Sequence, residues 1–167
     1  WFSSITRTPT IVLHGPTDPA YYGPTNDWVH KLQSNSNYST FIFTSGLKFN
    51  KIDMVFNLEG ENSDCNLRSA LFLDKDDHQE IKTKINHLVP NCKSFQKVKN
   101  VLDSKGKGVY QGKIYVKDVA QKTNAYQLSK ALLLSEGSEF NSKPELEIYA
   151  DDVKCSHGST SGNVDDN

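Results

Sequence analysis

The sequence lacks most of the features that would assign a chemistry at once. Its 167 residues hold three cysteines, Cys65, Cys92 and Cys155, and no CxxC pair. An odd count without regular spacing does not fit a disulfide framework, and a reducing compartment is the simpler reading. The missing CxxC argues against a zinc ribbon. Charge of one sign is also missing. The 19 basic and 20 acidic residues leave a formal net charge of -1, which gives no reason to expect nucleic acid or an anionic membrane as a partner. No apolar run approaches the roughly 20 residues of a membrane span. No GK[ST] follows the glycines of "KGKGVYQG" (Gly106, Gly108 and Gly112), so they are not a phosphate loop and are expected at tight corners. The chain opens on Trp1 without a signal-peptide pattern, and both ends are expected to be cut rather than native.

Asn-Gly and Asp-Gly are absent too. Those pairs are the strongest short-range signal for a two-residue hairpin. Their absence matters because what is present reads as strands. From Thr40 onward short apolar runs recur, among them "KIDMVFNL" at 51–58, "EIKTKINHLV" at 80–89, "GVYQGKIYV" at 108–116 and "ELEIYA" at 145–150. Ile52, Met54, Phe56 and Leu58 share one face, with Lys51, Asp53 and Asn57 on the other. Ile81, Thr83, Ile85, His87 and Val89 alternate in the same way. Period two is the mark of a half-buried strand. The segment "DVAQKTNAYQLSKALLL" can be drawn as a helix, but a strand–turn–strand reading fits it about as well. Many short strands at spacings of roughly 10–16 residues make the chain all-β. Even spacing without hairpin turns leans towards a stacked solenoid rather than a sandwich.

Residues 1–37 have a different texture. Four prolines lie between Pro9 and Pro24, and proline removes a donor and restricts the residue before it. This part is read as an irregular segment or cap, with one short helical turn around Trp28–Leu32. The length fits about one domain, with the core assigned to residues 38–162 and a tail to 163–167.

The C-terminal third carries a resemblance. "GVYQGKIYVKDVAQKTNAYQLSKALLLS" followed by "KPELEIYADDVKCSHGSTSG" resembles the SufB/SufD family of iron–sulfur cluster assembly proteins. The similarity begins near Gly46 in "GLKFNKIDMVFNLEGENS", strengthens through "INHLVPNCKSFQKVKNVL" and is dense from Gly108 to Gly162. Residues 1–37 match nothing. The "KCSHG" of Lys154–Gly158 is the SufD-like form. SufB-like members carry a Glu-His-Glu arrangement there and place a reactive cysteine shortly before an apolar run. Here Ser129 precedes "KALLL", so this chain departs from the SufB-like sulfur acceptor.

The resemblance implies a right-handed parallel β-helix and a scaffold rather than an enzyme. It implies pairing with a SufB-like partner through the β-helix. A SufC-like ABC ATPase would be bound through a C-terminal helical module expected after residue 167, and any ATPase activity would be that subunit's. An iron–sulfur cluster would be held transiently by the assembled complex and not by the isolated chain, for which a homodimer is possible. Location would be the cytoplasm of a bacterium or the plastid stroma of a eukaryote.

His157 and Cys155 are the candidate site residues. In a strand, positions 153, 155 and 157 point to one face, and imidazole and thiolate are both competent iron ligands. His157 ranks first because it can also carry a proton near neutral pH. The plain alternative is a buried thiol beside a satisfied histidine, and from composition alone it is the stronger reading; the SufD-like motif reverses that order. Cys65 and Cys92 are read as structural or solvent-facing, His87 as a core histidine, and His14, His30 and His78 as solvated. A carbohydrate-active β-helix enzyme is a second reading, since paired carboxylates are the glycosidase device. Against it, Asp74–Asp77 reads as a turn, Asp151 and Asp152 would point to opposite faces, and no aromatic row for sugar stacking is visible. An inert architectural solenoid is the third.

Overall fold

In the computed structural model, residues 10–14 and 28–163 are described, and all of their regular structure is β. Eleven strands follow one another: β1 (Thr10–His14), β2 (Trp28–Leu32), β3 (Asn37–Ser45), β4 (Phe49–Leu58), β5 (Asp64–Leu73), β6 (His78–His87), β7 (Lys93–Leu102), β8 (Lys107–Val116), β9 (Thr123–Leu133), β10 (Glu139–Ile148) and β11 (Val153–Asn163). Odd strands form a six-stranded sheet in the order β1-β3-β5-β7-β9-β11, and even strands a five-stranded sheet in the order β10-β8-β6-β4-β2. Every pairing is parallel. Consecutive strands therefore never pair with each other. The chain winds between two facing sheets in a parallel β-solenoid, as the even strand spacing suggested.

Alternation in each strand follows from this winding. From β5 to β8 every second side chain points between the sheets and is buried, and β4 and β9 follow the same phase with half-buried positions at one end. Leu58, Leu67, Leu73, Ile81, Ile85, Leu102 and Ile114 stack there without solvent exposure. Each such burial stabilises the fold by about 1.5–3 kcal/mol. Strands of a parallel sheet usually read as continuous apolar runs because helices cover both faces. Here no described element covers the outer faces, so the strands alternate as antiparallel ones do.

The corners explain why the chain turns where it does. Non-glycine residues with positive φ occur at Asn35, Asn62, Asn91 and Lys122 on one side and at Lys75 and Ser104 on the other, where Gly46 opens the series. Asn enters the left-handed region more readily than most residues. Corners of successive coils rest on one another: the Asn35 amide donates to the Glu61 carbonyl at 2.8 Å, and Asn91 to Gln121 at 2.9 Å. The stacking is tight enough that a Cβ on Gly60 would lie 1.8 Å from the Ser34 backbone nitrogen. Asp74 and Asp103 belong to this scaffold. Asp74 accepts from Ser104 Oγ at 2.8 Å, and Asp103 accepts from Ser135 Oγ and from the Ser104 amide. The Ser135 and Ser104 donors hold the half-buried Asp103 carboxyl below its usual range.

Several sequence expectations are corrected. Trp28–Leu32 is strand β2 and not a helical turn. Gly106 sits at a corner, but Gly108 and Gly112 lie inside β8. A Cβ on Gly112 would meet Gln127 Nε2 and Tyr110 OH at 2.4 Å, so that glycine makes room for interior side chains. His78 is not simply solvated: its Nε2 lies 2.9 Å from Glu80 Oε1, and its ring stacks on Phe49. The side chains of His14 and His30 lie outside the described residues.

Candidate functional site

Between the sheets buried polar side chains are set among the apolar ones. Gln96 Oε1 accepts from Thr83 Oγ1 at 2.7 Å and from Tyr110 OH at 3.4 Å. Gln96 Nε2 donates to Gln127 Oε1 at 3.4 Å, and Gln127 Nε2 donates to the Gly112 carbonyl at 3.2 Å. One set of buried amides and hydroxyls thus links strands of both sheets, which a water-poor interior requires. In the six-stranded sheet the register places Leu67, Gln96, Gln127 and His157 in one inward column. Cys155 stands beside Ala125 and Ser159 beside Ser129 in the same way.

His157 is therefore the last rung of an interior column, yet it is exposed. The reason is that β11 and β10 form the last described coil. Inward positions that are fully buried in β9 become exposed or half-buried in β11. In this coil Cys155, His157 and Ser159 line one wall and Ser142, Pro144 and Leu146 the other. Cys155 is half-buried against a small cluster with Ile114, Ala125 and Val153. Burial raises its thiol pKa, and the hydrogen bond to the Ala125 backbone works the other way. It is a thiol at neutral pH, and a metal would have to displace that proton to bind it.

Ser129 is buried one position further along β9. Its hydroxyl bonds Ser142 at 2.7 Å and Ser159 at 2.9 Å. The position at which SufB-like chains are expected to hold a reactive cysteine is here a packed hydroxyl cluster. The other two thiols are inert by environment. Cys65 is fully buried, which drives its pKa up. Cys92 is also fully buried, 3.2 Å from Ser63 Oγ, and points at the Gly60 and Pro90 carbonyls. A thiol-specific aromatic disulfide reagent added to the native chain is expected to label Cys155 quickly and the other two only after denaturation. Mass spectrometry of the labelled peptides checks this, and equal labelling of Cys92 would contradict the burial.

Among the described residues, no three of His, Cys, Asp and Glu converge as a metal site. His157 and Cys155 are brought to one face of one strand but do not complete a ligand set alone. The paired-carboxylate reading finds no support. Asp151 and Asp152 are exposed at a bend, where the Asp152 amide donates to Gln121 Oε1 at 2.8 Å. On the outer face of the six-stranded sheet Phe95 and Tyr126 stack with centroids 5.3 Å apart, a pair and not a row. One carboxylate, Asp64, shares that face. The interior amides were missed in the sequence. Their signal was the parity of Gln96 and Gln127, which fall in the buried phase of their strands.

Among the described residues no helix is long and apolar enough to cross a membrane. Residues 26–167 match the family model for the SUF system FeS cluster assembly, SufBD core domain. The iron-sulfur cluster assembly protein SufD of Escherichia coli is 40% identical over 109 residues, which cover 65% of this chain and 26% of that protein. An iron-sulfur cluster assembly SufBD family protein of Synechocystis is 46% identical over 76 residues, 46% of this chain and 16% of its own length. The chloroplastic protein ABCI7 of Arabidopsis thaliana is 46% identical over 66 residues, 40% of this chain and 14% of its own. The chain thus spans about a quarter or less of these relatives. With an all-parallel solenoid core and the matched SufBD domain, the chain belongs to the SufB/SufD family of SUF-system iron–sulfur cluster assembly proteins, as a SufD-like member.

Proposed function

We propose that this chain is the β-helical core of a SufD-like scaffold subunit that pairs with a SufB-like partner through the β-helix. The observation that carries the reading is the register that puts His157 and Cys155 on one inward face of β11, within the matched SufBD core domain. His157, with Cys155 behind it, then faces the partner across a shared assembly site. The iron–sulfur cluster is cargo there. This chain supplies an imidazole and a masked thiol, and the partner supplies the sulfur acceptor that Ser129 cannot be. The isolated chain retains no cluster. The SufC-like ATPase attaches through the helical module that the resemblance places beyond residues 163–167, so nucleotide hydrolysis belongs to that subunit. Relatives in a bacterium and a chloroplast support the cytoplasm or plastid stroma as the site of action.

Affinity purification of the complete protein that contains this core is the test. The expected result is co-purification of a SufB-like protein and an ABC-type ATPase, with visible absorption of a cluster appearing in the complex and not in the core alone. Purification without the SufB-like protein, or a stoichiometric cluster on the core alone after anaerobic reconstitution, would refute the reading.

A further inference from the structure

The two outer faces of the solenoid differ in how their lysines are neutralised. On the five-stranded sheet lysines stand opposite carboxylates at Lys51 by Glu80, Asp53 by Lys82 and Lys107 by Glu139, and where Lys84 stands opposite Lys113 the latter is paired with Glu147. The three opposed pairs close as salt bridges at 3.6, 3.4 and 3.2 Å, and Lys143 also finds a glutamate. On the six-stranded sheet, outward positions carry Arg68, Lys93, Lys97, Lys99, Lys130 and Lys154 against the single carboxylate Asp64. The register there sets like against like. Arg68 is directly opposite Lys97, and Lys99 directly opposite Lys130. Among the described residues none of these four has a carboxylate partner.

Like charges opposite each other on neighbouring strands destabilise a sheet. With strands about 4.8 Å apart, the four cations form one compact block. Apolar side chains flank it. Phe95 and Tyr126 lie on one side, with the Arg68 guanidinium 5.8 Å over the Phe95 ring. Phe72 and Leu132 lie on the other side, and Phe41 and Phe43 on the next strand, each about two-fifths exposed. Arg68 is further fixed by a 3.2 Å bond from its Nε to Asn66 Oδ1.

We infer that this face docks an acidic protein segment whose carboxylates neutralise the Arg68/Lys97/Lys99/Lys130 block and whose apolar side chains cover the flanking phenylalanines. Charge complementarity sets the sign of the partner. The apolar flanks set its class, because a phosphate backbone offers nothing to bury them. Phe95 and Tyr126 stack on each other, so those facing ring surfaces are closed to a base. The surface is separate from the inward face that carries His157 and does not depend on the pairing proposed above.

The test is fluorescence anisotropy of a labelled Asp/Glu-rich peptide with flanking Phe residues, titrated with the native chain. Single-stranded oligo(dT) and phosphatidylglycerol vesicles serve as parallel probes. Saturable peptide binding is expected, weakened at least tenfold by Lys99→Glu with Lys97→Glu and strongly reduced by salt, as partly exposed charges require. Lys84→Glu on the other sheet makes a charge change of the same kind and is expected to leave binding unchanged. Thermal melting provides a second readout. Lys99→Glu faces Lys130 and removes a repulsion, so it is expected to hold or raise the melting temperature while binding falls. No saturable peptide binding, equal loss from Lys84→Glu, or tighter binding of oligo(dT) or vesicles with the same sensitivity would each overturn the inference.

Discussion

His157→Ala is expected to abolish complementation of a SufD-deficient strain under iron limitation, while the protein stays folded and still captures its SufB-like partner. The substitution is made in a complete SufD that carries this core. The structure separates function from stability unusually well at this residue. A histidine packed in the core would leave a cavity on truncation, and large-to-small core changes cost about 2–5 kcal/mol. His157 stands on an inward column and is exposed among the described residues. Its removal leaves no enclosed void, and surface changes of that kind stay within about 0.5 kcal/mol. A loss of function therefore points to the imidazole itself, as ligand or proton carrier. Cys155→Ser is the companion. Its thiol is half-buried and its pKa raised by that burial, so it is the less available ligand and the defect is expected to be weaker. Growth under iron limitation, read beside a partner pull-down, decides the matter. Full complementation by a folded His157→Ala protein would remove this histidine from the site.

What the sequence made legible, and what it hid, follows from how a solenoid uses its residues. Alternation in "KIDMVFNL" and "EIKTKINHLV" marked strands correctly because one face of each is buried. Alternation cannot distinguish parallel from antiparallel pairing when the other face is bare, so the missing Asn-Gly and Asp-Gly pairs had to carry that step. Strand β2 was hidden by the prolines before it, which lower strand propensity locally but place no restriction on Trp28–Leu32 itself. A better signal went unused. Asn35, Asn62 and Asn91 recur at intervals close to one coil, each followed within a few residues by a strand, and each has positive φ. The face that carries His157 was half legible. Parity aligned Cys155 with His157, but nothing in the linear order revealed that Gln127 and Gln96 continue the His157 column, because strand neighbours are about a coil apart in sequence.

The second large effect is a loss of stability in mild acid that traces to His87. This residue is fully buried in β6, opposite Leu58 and Val116 in the register, with Nε2 2.9 Å from Ser94 Oγ and Nδ1 without a hydrogen-bond partner. Burial lowers its pKa to about 4, because a charged ring has no water and no counter-ion there. The unfolded chain titrates near 6.5. Between those values the unfolded state binds the extra proton, so stability falls as pH falls from about 6.5 towards 4 and is fully present above 6.5. From pH 7 to 4.5 the cost comes to about 2 kcal/mol, a large share of the stability of a domain this size. Glu80, Glu145 and Glu147, whose pKa values are lowered by His78, Lys143 and Lys113 respectively, lose their contributions mainly below that window. His87→Gln keeps a donor near Ser94 and cannot take up a proton. Urea midpoints at pH 7 and 4.5 are expected to differ strongly for the native chain and by much less for His87→Gln. An equal drop in both proteins would place the acid sensitivity elsewhere, and a native chain as stable at pH 4.5 as at pH 7 would mean that His87 is solvated when charged.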